Sequence, residues 1–232
     1  MTDWYKIKRV LTWVNWEEKQ IYPKPPFTPT SDTLAYYKFD WNLNDSSSSG
    51  RNMSLQNWSV TYWTTAGWAK YWYFNTSTWT NNILFSSINY WTYKMTISYW
   101  IQPKTLFSDY VLSVELAATA TVPIYARAYD SYTVTFHGND TTYAMSKDTW
   151  YYVTITRDGT TCKYYVNWVL VGTQTWQTWT YDVDFKLNNA QNTSTTRYAN
   201  DQYFSEMILE NKVRSADEIT AYYNATKSNY GL

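Results

Sequence analysis

The sequence predicts an all-β sandwich closed by one C-terminal helix, and three observations carry that expectation. Short β-branched and aromatic runs, separated by Asn, Asp, Ser and Thr, recur from about residue 32 to residue 210. Asp158-Gly159 stands between two such runs, where a tight hairpin turn needs positive φ angles. Ser215-Ala216-Asp217-Glu218 is a capping box, and Ile219, Tyr222 and Tyr223 behind it recur at helical spacing.

Taken in order, residues 1–22 are expected to form an N-terminal β-hairpin attachment segment, with runs at 5–11 and 17–22 around Trp13-Val14-Asn15-Trp16. Residues 23–31 follow as a linker. Pro23, Pro25, Pro26 and Pro29, four of the six prolines, lack backbone donors and favour extended chain. The main domain then covers 32–232, with strands expected at 34–39, 52–60, 69–74, 94–102, 109–116, 121–129, 132–137, 150–157, 161–167, 183–187 and 202–210. Met95, Ile97, Tyr99 and Ile101 alternate onto one face, so one side lines a core while the other meets a partner sheet or solvent. The helix runs to about Thr226 and is expected to cover one end or edge of the sandwich.

With 232 residues the chain can bury a core without disulfide staples. Lys+Arg 19 balances Asp+Glu 19, and the absence of a basic cluster or a glycine-rich phosphate loop argues against a nucleic-acid partner. Cys162 is the single cysteine and reads as a small core residue on a strand. The N-terminus lacks a basic stretch followed by an apolar run, and no apolar stretch approaches membrane-spanning length, so neither a signal peptide nor membrane insertion is expected. Asn44, Asn52, Asn57, Asn75, Asn139, Asn192 and Asn224 begin N-x-Ser/Thr triplets, which a chain rich in these residues makes by chance.

Five blocks resemble laminin G-like domains of the concanavalin A-like superfamily. The run Leu34-Ala35-Tyr36-Tyr37-Lys38-Phe39-Asp40-Trp41-Asn42-Leu43-Asn44-Asp45-Ser46 is similar to an opening of two aromatics followed by Phe-Asp-Gly-Asn-x-x-Asp-Ser. Residues 95–103 are similar to the central strand, 149–159 and 163–172 to the paired strands, and 214–219 to the last strand and helix. The resemblance spans about 32–228 and implies a jelly-roll β-sandwich. That fold serves lectins, adhesion modules, glycosidases and spacers alike.

One departure recurs. Trp stands where such domains carry Gly at Trp41 and Trp168, and by the same reading at Trp58, Trp63, Trp68 and Trp72. Trp13, Trp16, Trp176 and Trp179 sit in similar turn-like polar surroundings, and Trp79 and Trp91 fall on neither side. Six glycines in 232 residues is under half the usual share of about 7%, whereas fifteen tryptophans is a large excess. The pattern is what a gene reading UGA as glycine would give if translated with UGA as tryptophan. Trp100 and Trp150 match tryptophans of the resembling domains and count as genuine. The alternative is a real Trp-rich surface.

Catalytic groups are sparse. Glycosidases of this fold place Glu-x-Asp-x-x-Glu along one strand, and no such motif occurs. Glu206 and Glu210 flank Met207-Ile208-Leu209, and Asp182 and Asp184 share a strand face, as residues of a solvated edge do. His137 is the only histidine and reads as a turn residue. Asp40, Asn42, Asn44 and Asp45 gather hard oxygen donors in one loop, where the resemblance implies a rim calcium; turn chemistry uses the same residues. For a ligand surface, Tyr62, Tyr71, Tyr73, Tyr90 and Tyr93 with Asn81, Asn82 and Asn89 combine ring faces with amides that suit sugar hydroxyls. These features point to a non-catalytic recognition or adhesion module that binds glycan or a surface protein, on a phage tail or cell exterior and beside other virion proteins. A structural spacer without a ligand is the alternative, and glycoside hydrolysis has the least support.

Overall fold

A computed structural model describes residues 27–56, 61–65, 69–74, 83–88, 94–104, 111–118, 121–129, 133–136, 141–175, 183–190 and 202–232, and the backbone of 13–14 and 17–18. The first strands, β1 (Trp13–Val14) and β2 (Glu17–Glu18), pair antiparallel with each other. This places Trp13 and Val14, expected between two strands, inside one. Next come β3 (Thr33–Tyr37), β4 (Ser54–Gln56), β5 (Thr61–Thr64), β6 (Lys70–Phe74), β7 (Ile83–Ile88) and β8 (Lys94–Pro103). They are followed by β9 (Val111–Ala118), β10 (Thr121–Tyr129), β11 (Thr133–Phe136), β12 (Thr141–Ala144), β13 (Tyr151–Asp158), β14 (Thr161–Val166), β15 (Val169–Thr175), β16 (Val183–Ala190) and β17 (Gln202–Glu210). Helix α1 (Ala216–Thr226) and a 3-10 turn, Lys227–Tyr230, complete the described elements.

One sheet has the order β12-β11-β10-β9-β16-β7-β4, and the other has β15-β14-β13-β8-β17-β6-β5 with β3 also on β17. The chain passes repeatedly between them, and the described elements form a mostly β, jelly-roll-like β-sandwich with one C-terminal helix. The residues expected as a single strand at 52–60 instead contribute β4 to one sheet, and the chain enters the other at β5. Pro123 lies inside β10 where the register slips between Thr121 and Ile124, the kind of irregularity that tolerates a residue without an N–H.

Around β8 and β13 the eight-stranded sheet is buried on both faces. Alternation along β8 and β13 sends Met95, Ile97, Tyr99, Val153 and Ile155 into the main core with Tyr37, Cys162, Tyr164 and Met207. Burial pushes the Cys162 thiol up to about 11, as suits a packing residue. The opposite parity gives Trp100, Tyr152 and Tyr165, which pack under Ile219, Tyr223 and Tyr230. The helix therefore covers the outer face of a sheet, not an end or edge of the sandwich. Each such fully buried aromatic is worth about 1.5–3 kcal/mol of transfer free energy, which explains why α1 is held despite its short length. Its start follows the sequence: Ser215 Oγ accepts from the Glu218 amide at 3.2 Å while Glu218 Oε2 accepts from the Ser215 amide at 2.8 Å.

Two hairpin tips matter later. Asp158 pairs with Thr161, so Gly159-Thr160 forms the first tip, and the positive φ belongs to Gly159 (+59°) alone. That corrects the expected Asp-Gly tip: glycine at the first central position fits a type II′ turn. Val166 pairs with Val169 across Asn167-Trp168, with Asn167 at φ +60°. Asn167 is tied to β13, its amide donating to Tyr152 O at 2.6 Å and its Oδ1 accepting from the Tyr152 amide at 3.1 Å.

Candidate functional site

On the outer face of the eight-stranded sheet, beside the ground covered by α1, β6 and β17 place Tyr71 and Tyr203 in a stacked pair with ring centroids 4.5 Å apart. Both are half-buried, so ring surface is open to solvent. Trp150 backs the pair, edge-on to Tyr71 at 5.5 Å and tilted against Tyr203 at 6.3 Å, and Tyr230 lies behind Trp150 at 5.0 Å. The result is an aromatic shelf on a rigid floor.

Charged and amide groups rim this shelf. Lys104 Nζ stands 4.5 Å from the Tyr203 ring centroid and 2.5 Å from Asp148 Oδ1, while Gln102 Nε2 donates to Asp148 O at 2.9 Å. Asp148 takes φ +61°, a conformation Asp tolerates better than most residues. Its amide donates to Pro103 O at 2.8 Å, which fixes the rim to the end of β8. Burial raises the Tyr71 phenol above its ordinary range, with the neighbouring Tyr203 adding to the shift. The phenol is therefore a donor throughout the neutral range. Ring faces beside donors and acceptors suit the two-sided chemistry of a sugar, whose C–H face stacks while its hydroxyls seek hydrogen bonds.

Tyr71 is thus the one member of the sequence-picked aromatic group whose side chain is described, and its partner Tyr203 was not foreseen. Tyr203 reads in sequence as an ordinary strand residue, and only the pairing of β6 with β17 brings it to Tyr71. Tyr90, Tyr93, Asn81, Asn82 and Asn89 lie outside the described residues, as does His137.

The rim loop after β3 is organised around Asp45. Its Oδ1 accepts from the Tyr36 and Ser47 amides at 2.9 and 2.8 Å, and its Oδ2 from Ser47 Oγ and the Arg51 amide, both at 2.9 Å. Four donors match the acceptor capacity of a carboxylate. Asn42 Oδ1 accepts from the Asn44 amide at 2.8 Å, and Asn42 Nδ2 reaches Asp40 O at 3.4 Å. The four residues picked as calcium ligands therefore do share one loop, and Asp45 holds that loop's backbone. Among the described residues no group of three or more His, Cys, Asp and Glu is placed to hold a metal.

Glu206 and Glu210 do not lie on a solvated edge, because β17 is an interior strand. Glu210, 2% exposed, is ion-paired with Arg214 beneath α1. The Arg214 guanidinium lies 5.3 Å from the Phe27 ring and 5.2 Å from the Tyr222 ring. Glu206 interrupts β17 at φ +38°, where the register to β8 shifts between Ser205 and Met207. Its Oε1 accepts from Tyr36 Oη at 2.7 Å and from the Phe27 amide at 3.4 Å. Burial first, and then the Glu206 charge, push the Tyr36 phenol far above its usual range. With Glu210 enclosed and spoken for by Arg214, these carboxylates cannot act together on a substrate in this arrangement.

No family model and no curated protein matches the chain. Solved structures do match. The binding domain of botulinum neurotoxin DC in complex with SialylT aligns with a TM-score of 0.67 and 13% identity over 84% of this chain and 51% of that one. A botulinum neurotoxin type C structure, from a toxin whose passage into cells depends on interaction with two ganglioside molecules, has the same TM-score, identity and coverages. A mutant Trypanosoma rangeli sialidase displaying trans-sialidase activity aligns with a TM-score of 0.66 and 10% identity over 88% of this chain and 34% of that one. The chain spans about half the length of the toxin structures and a third of the sialidase. Likeness at these identities is likeness of fold.

Proposed function

We propose that this chain is a non-catalytic glycan-recognition module, displayed on a cell exterior or a virion tail, and that the Tyr71–Tyr203 shelf receives a sugar ring. The stacked, half-exposed tyrosine pair with its Lys104–Asp148 rim carries the reading. The names of the toxin structures, which mention gangliosides and SialylT, support a saccharide over a peptide as ligand. Asn81, Asn82, Asn89, Tyr90 and Tyr93 are proposed to supply the remaining contacts from the stretch between β6 and β8.

The test is binding of the purified chain to an array of surface glycans, followed by titration of the best ligand. Removing a stacking ring costs about 1 kcal/mol beyond lost area, so Tyr71→Ala or Tyr203→Ala is expected to weaken affinity about tenfold. Tyr90→Ala and Tyr93→Ala test the second group in the same titration. A glycan that binds all these variants as well as the unaltered chain would remove the shelf from the reading. A chain that retains no glycan at all would favour a structural spacer.

A further inference from the structure

We infer that residue 41 is glycine in the protein as its own cell makes it, encoded by a UGA triplet that a glycine-accepting tRNA reads. Four tryptophans have described side chains, and they fall into two kinds. Trp100 is fully buried, with Tyr230, Tyr152 and Tyr223 rings at 3.9, 5.2 and 5.8 Å. Trp150 is 6% exposed and is held between Tyr71 and Tyr230. Trp41 and Trp168 are instead 54% and 47% exposed, one on the rim loop and one at a two-residue hairpin tip. Trp168 keeps a ring contact with Tyr223 at 4.7 Å, so the contrast is sharpest at position 41.

The backbone sets Trp41 apart independently of exposure, whereas Trp168 does not take a positive φ. Gly50, Gly159 and Gly231 have φ of +64°, +59° and +78°, and Trp41 at +73° falls among them. Of the other described non-glycine residues with positive φ, Asp148 and Asn167 are types that tolerate this region. Phe39 is buried in the core, and Glu206 is held at a strand irregularity by Tyr36. A bulky aromatic in this region is a steric outlier, because its Cβ crowds the following carbonyl, and glycine has none. At the hairpin tip the strain falls on Asn167, and glycine at 168 would let both central residues take the positive φ of a type I′ turn. The composition, six glycines against fifteen tryptophans, agrees.

A consequence for binding is that the exposed indole at position 41 belongs to no sugar platform in the native protein. The inference does not depend on the glycan reading.

The experiment is peptide mass spectrometry on the protein purified from its own cells, with the gene sequenced alongside. Trypsin releases Phe39–Arg51, which carries position 41, and Met95–Lys104, which carries Trp100 as the internal control. Glycine at 41 with tryptophan kept at 100, and UGA at the first triplet against UGG at the second, is the expected result. Tryptophan in Phe39–Arg51, or UGG at its triplet, overturns the inference. A second measurement reads the backbone argument alone. Trp41→Gly in the recombinant chain is expected to raise Tm by about 2 °C, the relief of positive-φ strain exceeding the extra freedom of an unfolded glycine. A fall in Tm would overturn that argument.

Discussion

Arg214 illustrates what keeps a charge stable beneath a helix. Burial opposes its charge, but Tyr152, Glu210 and Tyr222 around it more than compensate and hold its pKa above the ordinary value. Removing one partner of such a pair strands the other, at a cost of about 3–5 kcal/mol. Glu210→Ala and Arg214→Ala are each expected to lower the urea unfolding free energy by that much, whereas Glu210→Leu with Arg214→Met should cost far less. Asp45 makes a parallel case in the rim loop. Its four accepted hydrogen bonds make Asp45→Ala cost about 3 kcal/mol, since three backbone amides lose a charged acceptor. Calcium titration against a chelator, read as Tm, separates this role from ion binding. Because the carboxylate is already saturated by the chain, little change in Tm is expected, and a calcium-dependent rise abolished by Asp40→Asn would place an ion there.

Elements were legible where their signals are local. The capping box sets the start of α1, since Ser215, Glu218 and the apolar positions behind them lie within three turns. Ser215→Ala should cost about 1 kcal/mol, measurable as a fall in Tm. The hydrogen bond from Lys212, then that from the Ser215 amide, hold the Glu218 carboxyl below the ordinary range. A carboxyl with a depressed folded pKa contributes stability that is present above its unfolded pKa and lost as pH falls through the folded one. Acidification should therefore erode this cap, and Glu218→Gln should flatten that part of the acid limb. That the strand expected at 52–60 would give β4 to one sheet, with β5 following in the other, was not legible, because period-2 alternation reports a buried face without saying against which sheet. The face covered by α1 was missed for a related reason: alternation left the second side of β8 open to a partner sheet or to solvent, and Thr96 and Ser98 on it, with Thr154 beside them, are buried.

Across the whole molecule, several phenols share one buried neighbourhood. Burial raises Tyr152, Tyr222 and Tyr230 as it does Tyr36, with the Glu206 charge adding to each. Groups whose folded pKa exceeds the unfolded value near 10 contribute stability that is intact below that pH and lost as pH climbs through it. Stability measured by circular dichroism should fall steeply above pH 10, and Tyr36→Phe should soften the fall. The shelf was half legible: Tyr71 belongs to a visible cluster of aromatics, whereas Tyr203 joins it only through strand pairing across the sheet. That same pairing governs how the domain is made. β17 sits between β8 on one side and β6 and β3 on the other, changing partner at Glu206. The bond from Tyr36 to Glu206 links residues 170 apart. On a ribosome, the outer strands must wait for their interior neighbour until residue 210 has emerged, so the sheet closes late and slowly, as high contact order dictates. Nascent chains stalled before residue 202 should remain protease-sensitive, and the apolar strands waiting in them are natural clients for a chaperone.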